Sequence, residues 1–180
     1  MTLRRHVPSL ARKYRALLAL RHAHARDGSV ARPAELRDLA AEFPGALREL
    51  DALPVEVMRA RADALEAAHA TGAEAAPWMT AMAGYHALMR ATLTIKRAYG
   101  PGGDAGAVPG AVDALRAETG IALEAHDLAA IARPPRGRLG VFVFARLGAE
   151  LGRPADELWQ EMFPTGRADR FARGDSGGAT

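Results

Sequence analysis

The residues that could do chemistry in this chain are few. It has six histidines, three serines (Ser9, Ser29 and Ser176) and no cysteine. The missing thiol excludes disulfides, thiolate metal sites and a cysteine nucleophile. His22 and His24 fall inside one helical pattern. Positions two apart on a helix point roughly 200° apart, so this pair cannot share a metal ion there. His86 follows Tyr85 and precedes Arg90 by four residues in a long apolar pattern. It could serve as a buried general base, but a boundary histidine with one hydrogen bond is the better-supported reading. Glu124, His126 and Asp127 cluster at a helix start, where acids favour the helix dipole. No H-x-x-x-H or H-E-x-x-H spacing supplies the further ligands a metal would need.

Three short strings invite functional readings. Gly174-Asp175-Ser176-Gly177-Gly178 resembles the nucleophile loop of trypsin-like serine proteases, over five residues. Those enzymes need a two-barrel β fold with His and Asp partners upstream, and a serine without a positioned base is inert. No catalytic role is carried over. Gly100 to Gly110 is glycine-rich, but no G-K-[ST] follows and no strand precedes it, so it is not a phosphate loop. Leu147 to Pro164, LGAELGRPADELWQEMFP, resembles the closing helices of repressor-type helix-turn-helix domains. That likeness is shared by small helical domains in general and assigns no residue. The sequence therefore supports no catalytic residues, no metal ligands and no cofactor, and gives no ground for an enzyme.

Charge is more informative. Residues 1–26 carry seven basic and no acidic residues, a net +7. Residues 27–110 carry eight basic and eleven acidic residues, and residues 111–180 carry nine and ten. The overall +3 is thus an N-terminal property. Helices of this kind can neutralise phosphates. If nucleic acid binds, Arg4, Arg5, Arg12, Arg15, Arg21 and Arg26 carry the backbone contacts, and Arg136 and Arg138, within the acid-free strip from Arg133 to Arg146, form a second strip. The chain has no Asn and one Gln, so it lacks the amides that read adenine edges. The competing expectation is internal: residues 32–76 carry nine acids against five bases, a natural counterpart for the basic start. Anionic membrane surfaces are a lesser version of the same electrostatics.

These residues must be positioned by helices. Trp78, Met82, Tyr85, Met89, Thr92, Ile95 and Tyr99 recur every three or four residues, which predicts one long helix from Pro77 to Tyr99. Leu10, Tyr14, Leu17 and Leu18 make the apolar side of a first helix running to about Arg26. Pro33, Pro44 and Pro54 each precede a helical pattern and read as helix starts. Val141-Phe142-Val143-Phe144 has strand composition, but Leu139, Leu147 and Leu151 continue a helical period through it. No apolar run is long enough to span a membrane, and no apolar stretch follows Arg4 and Arg5 as a secretory signal requires.

The expected fold is all-α, a bundle of eight to nine helices around the long central helix. Residues 1–99 form the bundle, 100–110 a Gly/Pro linker, 111–164 a smaller helical unit and 165–180 a disordered tail. The expected function is non-enzymatic binding in the cytoplasm. A protein partner ranks first; Met79, Met82 and Met89 could line an adaptable groove, although methionines at such spacing are more often core. Nucleic acid ranks second.

Overall fold

The computed structural model describes residues 7–27, 34–133 and 139–164. The GDSGG string, the 165–180 tail, Arg4, Arg5, Arg136 and Arg138 lie outside the described residues. The described residues form nine helices and no strand: α1 (Val7–Asp27), α2 (Ala34–Glu42), α3 (Ala46–Ala52), α4 (Val55–Thr71), α5 (Pro77–Ala98), α6 (Ala107–Thr119), α7 (Ala125–Ala132), α8 (Leu139–Leu151) and α9 (Ala155–Met162). No helix among them is long and apolar enough to cross a membrane.

Helix α5 is the centre. It starts at Pro77, whose missing N–H is not needed in a first turn, and it touches α1, α2, α6, α7, α8 and α9. Fourteen of its 22 residues are buried, including the unbroken run from Ala81 to Met89. A helix packed on so many neighbours needs small residues where they approach, and Ala81, Ala83, Gly84, Ala87 and Ala91 supply them. The same fact corrects the expectation for the methionines. Met79, Met82 and Met89 line no surface groove; they fill the core at 5%, 0% and 8% exposure.

Helix α1 lies along α4, burying Leu10, Tyr14, Leu17 and Leu18. The strand-like VFVF segment is helical in α8, and Phe144 stacks 5.1 Å from the Tyr85 ring of α5. Apolar cross-helix contacts override the local β preference of those residues.

The stretch expected as a linker is shorter than its composition suggests. Helix α6 already begins at Ala107, with Pro109 in its first turn, where a missing N–H costs nothing. Before it, Gly103 sits against the end of α5. A Cβ there would lie 2.2 Å from the Arg97 carbonyl oxygen and 2.5 Å from that of Ala98. Only glycine allows that approach. The hydrophobic core runs without a break from α1 and α4 through α5 to Leu147 and Leu158 of α8 and α9. Arg61 of α4 adds a polar tie across the same boundary, donating to the carbonyls of Met162, at 3.0 Å, and Glu161, at 2.5 Å.

Candidate functional site

Two features of the described residues could carry function. One is a buried polar cluster at the crossing of α1, α3 and α5; the other is an open groove over α4.

The cluster is built from Lys13, Glu49 and His86. Each sits at a position its helix turns inward. Lys13 precedes Tyr14 on the buried side of α1, Glu49 lies between buried Ala46 and Leu53, and His86 falls in the wholly buried run of α5. The three are 0%, 0% and 1% exposed. Lys13 Nζ donates to both Glu49 carboxylate oxygens, at 2.8 and 2.9 Å, and lies 3.0 Å from His86 Nε2. Its third side meets Met82 Sδ at 3.5 Å and the Tyr14 ring face at 4.1 Å from the centroid. Tyr14 in turn accepts a hydrogen bond from Arg61 at 3.0 Å.

Burial and charge set the protonation states. Burial pulls the Lys13 ammonium down to about 8, with Glu49 opposing. Burial pushes the Glu49 carboxyl up, but Lys13 and His86 together outweigh it and hold it at about 2. Burial and then the Lys13 charge lower His86 to about 4, against the pull of Glu49. At neutral pH the cluster is an ammonium, a carboxylate and a neutral imidazole. His86 Nε2 also lies 3.5 Å from Glu49 Oε1, so this ring nitrogen faces both the ammonium and the carboxylate. The other ring nitrogen, Nδ1, is buried and has no hydrogen-bond partner.

The general-base reading of His86 does not fit this setting. An imidazole held at about 4 is a weak base at neutral pH, and its Nε2 is enclosed by Lys13 and Glu49. Lys13 is fully enclosed, so it offers no accessible amine. The cluster locks α1, α3 and α5 together.

The basic first helix is engaged inside the molecule wherever its side chains are described. Arg12 pairs with Glu42 at 2.5 Å; Arg15 pairs with Asp63 at 2.7 Å and Glu66 at 2.6 Å; Arg21 donates to the Leu50 carbonyl. These partners belong to the acidic section that the charge distribution pointed to. The side chain of Arg26 lies outside what is described. In the second basic strip, Arg146 donates to the Ala122 carbonyl at 2.9 Å and faces Asp127 and Glu150. Asp127 also accepts from the Glu124 backbone N–H at 2.9 Å, as the helix-start reading of these acids expects. No group of three metal-binding side chains occurs among the described residues.

The groove lies between α4, the start of α5 and α9. It encloses about 340 Å³ and is lined by Val57, Ala60, Arg61, Ala64, Trp78 and Glu161. Val57, Ala60 and Ala64 follow helical spacing and form a shallow apolar floor. Arg61 stacks over Trp78 at 5.6 Å from the ring centroid, which fixes one wall. The sequence reading missed this groove, because its small residues read as helix formers. The signal was Trp78 at the exposed start of an otherwise buried helix.

Comparison with known proteins finds no matching family model, no matching curated protein and no matching solved structure.

Proposed function

We propose that this chain is a non-enzymatic binding protein whose partner is another protein, docked as an amphipathic helix in the groove over α4. The observation that supports this reading is the groove itself, with a small-residue floor spaced along one helix face and an aromatic anchor at Trp78. On its α9 side lie Glu161, already paired with Arg153 at 2.7 Å, and, one turn earlier on the same face, exposed Glu157. A partner helix with an apolar stripe and a basic flank complements that arrangement. The internal ion pairs of Arg12 and Arg15 weigh against the nucleic-acid alternative, because a cation already paired with carboxylate releases fewer counterions from phosphate.

The test places a photoreactive side chain at exposed Ala60 and, as a control, at exposed Asp113 of α6. The expected result is a crosslink from position 60 alone, to a basic amphipathic helix in the partner, lost in Ala64→Arg with the fold retained. Equal capture from both positions, or a crosslinked segment without that pattern, contradicts the proposal. Salt-dependent binding of labelled oligonucleotides, weakened by neutralising the N-terminal arginines, would support the nucleic-acid alternative instead.

A further inference from the structure

The groove over α4 has a candidate occupant within the chain itself. Helix α9 forms one of its walls and is the last described helix, ending at Met162. Arg61, which lines the groove, donates to the Glu161 and Met162 carbonyls, so α9 ends beside the groove. Residues 165–180 continue from that point and lie outside the described residues.

The sequence of that stretch carries the chemistry the groove calls for. Thr165 to Arg173, TGRADRFAR, holds one large apolar residue, Phe171. It also holds three cations, Arg167, Arg170 and Arg173, against one acid, Asp169. In the groove an aromatic ring meets Trp78 on one wall and Val57, Ala60 and Ala64 on the floor. Two exposed carboxylates flank that floor: Glu56, beside Val57 on α4, and Glu157, one turn before Glu161 on α9. Neither has an ion-pair partner among the described residues. Arg61, the one cation among the described lining residues, directs its guanidinium to Tyr14 and the two α9 carbonyls.

The tether makes a weak contact count. Phe171 lies seven residues beyond Pro164, a span of up to about 24 Å when extended. That is enough to cross a space of about 340 Å³ from its α9 wall. A segment held on so short a tether has an effective concentration on the order of 1 mM.

We propose that residues 165–173 lie over this groove in the free protein, with Phe171 against Trp78 and the α4 floor and the arginines toward Glu56 and Glu157. A partner helix must displace them. This regulation rests on the binding reading of the groove given above. With an intrinsic dissociation constant of about 0.1 mM, the tail leaves the groove open about a tenth of the time and weakens partner binding about tenfold.

The experiment places a benzophenone side chain in the intact chain at position 171 and, as a control, at position 179 of the same stretch. The expected result is a crosslink from position 171 to residues 57–64 or Trp78 within one molecule, with a yield that does not change on dilution. Position 179 should give none there. Ala64→Arg, which sets a long cation on the floor, should abolish the crosslink. Phe171→Ser should shift the Trp78 indole resonance and raise partner capture from position 60 severalfold. A crosslink from position 171 to another surface, equal yields from 171 and 179, a crosslink between molecules that fades on dilution, or a Trp78 signal unmoved by Phe171→Ser would overturn the proposal. The comparison of 171 with 179 leaves the groove unaltered, so it decides even where Ala64→Arg fails to fold. A partner captured from position 60 with no crosslink from position 171 would sink this proposal and keep the binding reading. A crosslink from position 171 with no partner captured would keep the tail in the groove and sink the binding reading.

Discussion

Helix α1 makes two kinds of ion pair within a single turn. Arg12 and Glu42 meet at 2.5 Å with side chains 65% and 42% exposed, while Lys13 and Glu49 meet at 2.8 Å with both side chains at 0%. The distances are nearly the same and the consequences differ. Water screens the first pair and hydrates either partner if the other is lost. Nothing hydrates Glu49 if Lys13 is lost, so the second pair holds its geometry under a large penalty for breaking. The lesson is that the basic character of α1, which suggests an external polyanion, is directed inward at the one position where it matters most for the fold.

Four outcomes would break or sharpen this contrast. The largest is the loss of either member of the buried pair. Lys13→Met or Glu49→Leu alone should destabilise by about 3–5 kcal/mol in urea unfolding, because each strands a buried charge.

Acid comes next. The folded value of His86 lies below its free value, so as pH falls from 6.5 to about 4 the unfolded chain takes a proton the native state refuses, and stability drops. The change is on the order of 3 kcal/mol, and it levels off below about 4, where the native ring also protonates. Glu49 adds a second loss in the same direction between 4.5 and about 2. Unfolding midpoints measured across this range should show both legs, and His86→Gln should flatten the upper one.

The third outcome concerns Arg61, half-buried between the two extremes. Arg61→Ala removes bonds to Tyr14 and to the Glu161 and Met162 carbonyls. It should cost about 1–3 kcal/mol and speed hydrogen exchange in α9 before other helices. The smallest effect belongs to the exposed pairs. Arg12→Ala and Arg15→Ala should shift the midpoint less than any change above, and the shift should fade in about 1 M salt, where the screening length is about 3 Å.

Most of the fold could be read from spacing and punctuation. Pro33, Pro44 and Pro54 precede the three helices as expected, and the apolar run through Trp78 and Ile95 marks the buried axis. These signals are local, which is why they suffice. The buried cluster is not local: Lys13 is 36 residues from Glu49 and 73 from His86. His86 was singled out alone, and its partners could not be. A signal did exist, since Lys13 is one of only two lysines in a chain of 22 arginines and it falls on the Leu10–Tyr14–Leu17 side of α1. Reading Lys13 as one cation among seven hid that. The spacing of the methionines marks a helix face and leaves core and groove both open; the packing of six neighbours around α5 decides for the core.

The most direct test is a double-mutant cycle on Lys13 and Glu49, measured by denaturant unfolding of the intact chain. Lys13→Met and Glu49→Leu are each expected to be severely destabilising, and the double variant is expected to recover most of the loss, because two apolar side chains replace a closed ion pair. Additive losses in the double variant would mean the two charges do not depend on each other. That result would contradict the inward-directed pair on which this reading of the helix rests.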